Sequence, residues 1–371
     1  MVRSPSNVSR DPQMPMFNNP PAQICVVGVG GGGCNAIMRM LNEKRVPGVR
    51  YIGLNTDIKS LQQIQNAEVL QIGESLTRGM GAGGNPEKGA EAAEKTKKAI
   101  KQALGRPDLV FLAVGMGGGT GTGAAPVVAE IAKEAGALVV AVATTPFSFE
   151  GAKRQDIAGS GIQELRGKVD NIIVIHNDRL ISLMDEDVSM ETALKRADDA
   201  VMLGVHSVAA LVNMPGEINV DMADVKTIMG LSGSALMAIG EGKGPGGALE
   251  AAKQAVNNPL LNISIEGAMG VLFNVSGGPN LKLGEVNETG EYIRSLVDPD
   301  ALIFFGMGSD RSLKDRARVT LIATGIPSSS SGDPREPELM KLLNEVGDGF
   351  GKMDLDLPPF LRSHRLYDKN R

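Results

Sequence analysis

Two glycine-rich runs are the residues of this chain best suited to chemistry. Gly28-Val29-Gly30-Gly31-Gly32-Gly33-Cys34-Asn35 follows the apolar Ile24-Cys25-Val26-Val27, and Gly117-Gly118-Gly119-Thr120-Gly121-Thr122-Gly123 follows Leu109–Val114. Residues without a Cβ let the backbone turn tightly and bring its N–H groups against an anion. Each run leads into a helical pattern, whose first N–H groups and dipole also favour negative charge. Two such cradles suit a polyphosphate gripped from both sides, and hence a nucleotide. No Gly-x-x-x-x-Gly-Lys-Ser/Thr loop occurs, so backbone N–H groups and the Thr120 and Thr122 hydroxyls are the expected donors.

Taken alone, Gly28-x-Gly30-x-x-Gly33 also fits a dinucleotide fingerprint, with Asp57 near the end of the next strand. A dinucleotide oxidoreductase is therefore one alternative, and it gives the second run no role. That the glycines merely permit strand-to-helix turns is another, weaker for two runs than for one. A third chemical group is Asn219-Val220-Asp221-Met222-Ala223-Asp224. Spacing of three puts Asp221 and Asp224 on one helical face, where two carboxylates can polarise a water or help hold a metal ion. The same pattern is also a helix cap. His176, His206 and His364 are scattered, and no nucleophile–base arrangement stands out.

The elements that must hold these residues alternate strand and helix. Ile24–Val27, Tyr51–Asn55, Val69–Ile72, Leu109–Val114, Ala137–Thr144 and Ile172–His176 read as strands; Asn35–Glu43, Pro86–Leu104 and Thr122–Ala135 read as helices. Continuous apolar strands separated by helices predict a Rossmann-like parallel sheet covered on both faces, with ligand at the strands' carboxyl ends. From Met190 to Met214 a long helix is expected, with Leu194, Ala197, Val201, Val205, Val208 and Leu211 or Val212 on one face. A smaller α+β domain follows: helices Gly247–Asn257 and Leu283–Val297, strands Gly270–Ser276, Ala301–Met307 and Ala317–Thr324. The division expected is a flexible arm at 1–22, a nucleotide domain at 23–189, a central helix at 190–214, a C-terminal domain at 215–327, a linker at 328–353 and a docking peptide at 354–371.

Composition narrows the partners. A net charge of −5 over 371 residues, few aromatics and no tryptophan argue against nucleic acid. Cys25 and Cys34 alone form neither a disulfide framework nor a zinc site and fit a reducing compartment. No apolar run reaches the roughly 18 residues of a membrane span, so direct membrane insertion is not expected. A cytoplasmic protein is the expectation.

Gly117–Gly123 is similar to the tubulin-type signature, and its surroundings resemble the FtsZ family of tubulin-like cell-division GTPases in bacteria and plastids. The likeness spans residues 23–327 and resumes at Asp354–Arg362. Six motifs carry it in order: Gly28–Asn35, Asn55-Thr56-Asp57, Gly81–Pro86, Gly117–Gly123, Pro146–Gly151 and Asn219–Asp224. The resemblance implies GTP or GDP with Mg²⁺ offsetting the phosphate charge. It assigns Gly31, Gly32, Gly33, Cys34 and Asn35 to phosphates and ribose, and Gly118, Gly119, Thr120, Gly121, Thr122 and Gly123 to the other side. Ala82 and Gly83 fall near the γ-phosphate, Glu150 and Arg154 at the ribose, and Asn177 and Asp198 at guanine. A carboxylate accepting from the base N1–H and amino group favours guanine over adenine.

The resemblance also implies that Asp221 and Asp224, helped by Asn219, complete the site of the next subunit in a head-to-tail homopolymer. Location at the mid-cell division ring follows, in cytoplasm or plastid stroma. Leu357, Pro358, Phe360 and Leu361 would anchor membrane-tethering and regulatory division proteins. A non-hydrolysing, filament-joining paralogue is the other alternative. Three departures stand out: Leu194 replaces the family's usual phenylalanine against guanine, Cys34 sits in the phosphate turn and suggests thiol-reagent sensitivity, and the linker is short.

Overall fold

The computed structural model describes residues 22–43, 45–181, 189–213, 221–231, 234–257 and 264–326. Nearly all of the expected N-terminal arm, Asn219, the linker and the C-terminal peptide with Leu357, Pro358, Phe360 and Leu361 lie outside them.

Six strands form one parallel sheet: β1 (Ile24–Val29), β2 (Val49–Asn55), β3 (Glu68–Gln71), β4 (Leu109–Gly115), β5 (Leu138–Thr145) and β6 (Asn171–His176). Their order is β3-β2-β1-β4-β5-β6. The interleaved helices are α1 (Gly30–Glu43), α2 (Ile58–Gln62), α3 (Glu74–Thr77), α4 (Pro86–Lys95), α5 (Lys97–Leu104), α6 (Thr120–Glu134), α7 (Ala152–Arg166) and α8 (Asn177–Ile181). Along β1, Cys25, Val27 and Val29 enter one core while Ile24 and Val26 enter the other. Both faces are thus dry, which explains strands that read as unbroken apolar runs. Each buried aliphatic side chain contributes roughly 1.5–3 kcal/mol.

Three helices differ from the sequence reading. The expected helix Pro86–Leu104 breaks at Thr96, with φ −107° and ψ 7°. The Thr96 hydroxyl donates to the Ala92 carbonyl at 2.8 Å and accepts the Gly73 N–H at 2.9 Å, so it competes with the helix's own ladder. Helices α1 and α6 begin earlier than expected, at Gly30 and Thr120. The first glycine run is therefore largely the first turn of α1, while the second is split between the turn at Gly117–Gly119 and the first turn of α6.

The second layer begins with α9 (Met190–Asn213), about 36 Å long at the helical rise. Its buried stripe is Ala193, Ala197, Val201, Val205 and Ala209. Leu194, expected in that stripe, is 46% exposed instead; the Val208, Leu211 and Val212 side chains lie outside the described set. Next come α10 (Met222–Met229), β7 (Ser234–Lys243), α11 (Gly247–Val256), β8 (Gly270–Gly277), α12 (Leu283–Arg294), β9 (Leu302–Ser309) and β10 (Arg316–Ile326). The small sheet runs β7-β10-β8-β9, with β10 antiparallel to both neighbours and β8 parallel to β9. The sequence reading leaves β7 unassigned, because Gly240 and Gly242 weaken its strand signal. Packing requires the first of them: a Cβ on Gly240 would stand 2.6 Å from the Ala255 nitrogen of α11.

Val225, Ile228 and Met229 of α10 join the same core as Val140, Val142, Val201, Leu272 and Ile322, so one packed cluster links the two sheets and α9. Thr324 of β10 donates to the Ile228 carbonyl at 2.9 Å, satisfying one of the last carbonyls of α10.

Candidate functional site

A cavity of about 540 Å³ lies at the carboxyl ends of β2, β4 and β5 and beside the first residue of α8, on the side of the sheet that opens after β1. Its size suits a small-molecule ligand. The strand order reverses between β1 and β4, the position at which open parallel sheets bind ligands.

One wall is the two glycine turns. Gly31, Gly32 and Asn35 come from the first turns of α1, Gly118 and Gly119 from the bend before α6, and Thr120 and Gly121 from its first turn. The backbones touch: a Cβ on Gly32 would sit 3.2 Å from the Gly115 Cα, and one on Gly30 would sit 2.7 Å from the Gly121 nitrogen. Gly30 also has φ +73°, a left-handed conformation that costs other residues about 1–2 kcal/mol. The result is two adjacent helix N-termini at one cavity, an arrangement that attracts a chain of phosphates. Ala82 and Gly83 line the same cavity on the loop that precedes α4. That loop ends in the Asn85 cap, whose Oδ1 accepts the Lys88 N–H at 3.3 Å.

Asn177, Leu194 and Asp198 line the cavity from α8 and α9, and Glu150 and Arg154 line it from the turn at Ser148–Glu150 and the start of α7. The Asn177 side-chain oxygen is buried and has no hydrogen-bond partner among the described residues. A buried acceptor without a donor is the expected mark of a ligand group. Asp198 is half-buried, and burial pushes its carboxyl up to about 6. The nearby Arg39 guanidinium pulls the other way. Glu150 Oε1 accepts the Phe147 N–H at 3.0 Å, and its other oxygen pairs with Arg154.

Four residues expected at the ligand do not line the cavity: Gly33, Cys34, Thr122 and Gly123. Gly33 and Gly123 lie further along their helices. Thr122 Oγ1 accepts the Gly117 N–H at 3.0 Å and the residue is 3% exposed, so its hydroxyl holds the turn's shape. Thr120 Oγ1 is bonded to Thr56 Oγ1 at 2.6 Å. The hydroxyl donors expected from sequence are therefore engaged with protein, leaving the backbone N–H groups as the cradle's main donors. The Cys34 thiol points inward, 3.8 Å from the carbonyls of both Gly28 and Leu54. Burial pushes it up to about 12, so the expected thiol sensitivity is withdrawn. In the folded protein, an aromatic disulfide reagent should leave both cysteines unmodified for hours at pH 8, and denaturant should release two thiols at once. Rapid native labelling of Cys34 would contradict this placement.

Sequence reasoning missed Asn55, Ser60, Thr144 and Thr145, which also line the cavity. All but Ser60 stand at strand ends, so the usable signal was position and not residue type. Asp57 lines it too, but its carboxylate is engaged: Oδ1 accepts the Lys59 N–H at 3.0 Å and Oδ2 the Ser60 hydroxyl at 2.7 Å.

Asp221 and Asp224 do not line this cavity. Asp221 is the N-cap of α10, and its Oδ1 accepts the Asp224 N–H at 2.8 Å. The capping geometry is real, and among the described residues it leaves Asp221 Oδ2 and the partly exposed Asp224 carboxylate without a hydrogen bond or ion pair at the helix start. Among the described residues no cluster of His, Cys, Asp and Glu could hold a metal ion. Nor is any described helix long and apolar enough to cross a membrane.

The model of the GTPase domain of the Tubulin/FtsZ family matches residues 23–185, and that of the FtsZ C-terminal domain matches residues 233–327. An FtsZ from M. jannaschii, solved as an empty dimer, is 42% identical, with a TM-score of 0.79 over 83% of this chain and 90% of that one. CetZ1 from Haloferax volcanii, solved as a GDP-bound monomer, shares the fold at 21% identity, with a TM-score of 0.71 over 88% of this chain and 100% of that one. Fold, cavity and matches together define a tubulin-like GTPase class. Within that class, the chain belongs to the FtsZ family.

Proposed function

We propose that this protein binds and hydrolyses GTP and assembles head to tail into the filaments of the cell-division ring. The observation that carries the reading is an incomplete site. Of the three carboxylates that line the cavity among the described residues, Asp57 is bonded within its own turn, Glu150 is paired with Arg154, and Asp198 comes from α9. None of the three belongs to either glycine turn. Two accessible carboxylates stand instead at the start of α10, outside the cavity. A neighbouring copy that brings α10 to the glycine turns supplies what is missing.

In this reading the helix N-termini of α1 and α6 hold the phosphates, and Gly83 leaves open space for the terminal one. Asp198 and Asn177 read the base, Leu194 packs on it, and Glu150 with Arg154 holds the ribose. The neighbour's Asp221 and Asp224, with Asn219, orient and polarise the attacking water. Magnesium, when bound with the nucleotide, would offset the phosphate charge and would be held chiefly by the phosphate oxygens and water and not by a dedicated protein cage. Because patch and counter-patch differ, each added copy leaves a free patch for the next, and a rotation that does not close yields filaments. Leu357, Pro358, Phe360 and Leu361 serve as the tether for membrane anchors and regulators of the ring.

Sedimentation of the full-length protein tests this reading. Pelleting should require GTP and fail with GDP or ATP. A protein that remains in the supernatant with GTP at every concentration, or that binds a nicotinamide dinucleotide in preference, overturns it.

A further inference from the structure

Arg39 lies on α1, about two turns beyond the glycines, and does not line the cavity at the glycine turns. Its Nε donates to Asp199 Oδ1 on α9 at 2.8 Å, and its Nη2 pairs with Glu43 Oε1 at 2.9 Å. The guanidinium therefore ties the helix that begins at the phosphate cradle to the helix that carries the base reader. Asp199 is the immediate neighbour of Asp198. Both are acidic and half-buried, yet only Asp198 lines the cavity. With Arg39 engaged by Asp199 and Glu43, Asp198 keeps its oxygens for a ligand while still sitting in the guanidinium's field.

We propose that Arg39 is a positioning residue for base recognition: by holding Asp199 and Glu43 it fixes α9 against α1 so that the adjacent Asp198 carboxylate faces the cavity and accepts from a guanine. The proposal rests on the reading of Asp198 as the guanine reader. An arginine suits the task because its fork can hold Asp199 and Glu43 together, whereas a lysine is a single point charge. Two opposing charges act on Asp198, Arg39 from α1 and Asp199 from its own helix. Of the other elements near it, β6 ends in His176, α8 carries Asp178 and Arg179, and Glu150 and Arg154 line the same cavity. Arg39 and Asp199 are the charges that shape Asp198, and they shape it in opposite directions.

This opposition gives a test that loose packing cannot mimic. The acid limb of GDP affinity should be measured on dilute full-length protein with a fluorescent GDP, for wild type, Arg39→Gln and Asp199→Asn. Arg39→Gln should move the limb to higher pH by about half a unit or more, at or below the low end of what an adjacent opposite charge produces because these side chains touch solvent. Asp199→Asn should move it to lower pH. Arg39→Lys should recover part of the wild-type position. Limbs that stay in place, or that move the same way in both variants, overturn the proposal. A wild-type protein that shows no preference for GDP over ADP overturns the guanine reading itself, which separates the two failures.

Discussion

Replacing Asp224 by alanine should lower GTP hydrolysis in the assembled state by roughly a hundredfold to ten-thousandfold, the range in which a positioned acid or base acts. GDP binding by the dilute protein should not change, because Asp224 is outside the cavity of its own chain. Asp224 is the cleaner of the two positions. Alanine at Asp221 also removes the cap on the Asp224 N–H, a loss of about 1 kcal/mol to α10. Asp221→Asn separates the roles, since asparagine keeps a capping oxygen and discards the charge. Loss of turnover in Asp221→Asn with an unchanged melting temperature assigns the charge to hydrolysis. Full turnover in both Asp224→Ala and Asp221→Asn would return the pair to helix capping alone.

Asp198→Asn should weaken GDP binding by about a hundredfold, the scale of losing charge-assisted hydrogen bonds to one base. The same variant should gain affinity for xanthosine diphosphate, whose extra carbonyl accepts from the new amide. Acidity should act on the wild type in the same direction. Burial holds the Asp198 carboxyl near 6 in place of the usual 3.8, so GDP affinity should be constant above that pH and fall towards tenfold per unit below it. The asparagine variant should show no such limb. The effect on the free fold has the opposite sign. A raised carboxyl binds its proton more tightly folded than unfolded, so its contribution is fully present below about 3.8 and is lost as pH rises through about 6. Bound guanine then offsets that cost at neutral pH. An unshifted GDP affinity between pH 7 and pH 5 would contradict this account of the base pocket.

The parallel sheet and the phosphate cradle were legible because glycine runs and unbroken apolar strands break the ordinary patterns of a chain. Legibility ended where side-chain direction matters. Spacing cannot tell that Cys34 turns into the core or that Thr122 folds back on Gly117, because both depend on where the first helical turn begins. Placing that turn after the glycines was the underlying error, since glycine is a poor helix former whose use here is close approach. The same bias hid β7, whose glycines make room for α11. Leu194 was misread as core because Ala193, one residue away, is the smaller and less conspicuous member of the stripe. Glu150, Asn177 and Asp198 look like ordinary polar positions in sequence, and only the family resemblance assigned them. The fold brings all three to one cavity from separate elements.

The most direct measurement is GTP turnover per molecule as a function of protein concentration, with polymer pelleted from the same samples. Turnover near zero under a threshold, rising together with pelleting above it, is the result expected when α10 of one subunit completes the cavity of the next. Turnover per molecule that stays constant down to high dilution would contradict the shared site and place all of the chemistry within a single chain.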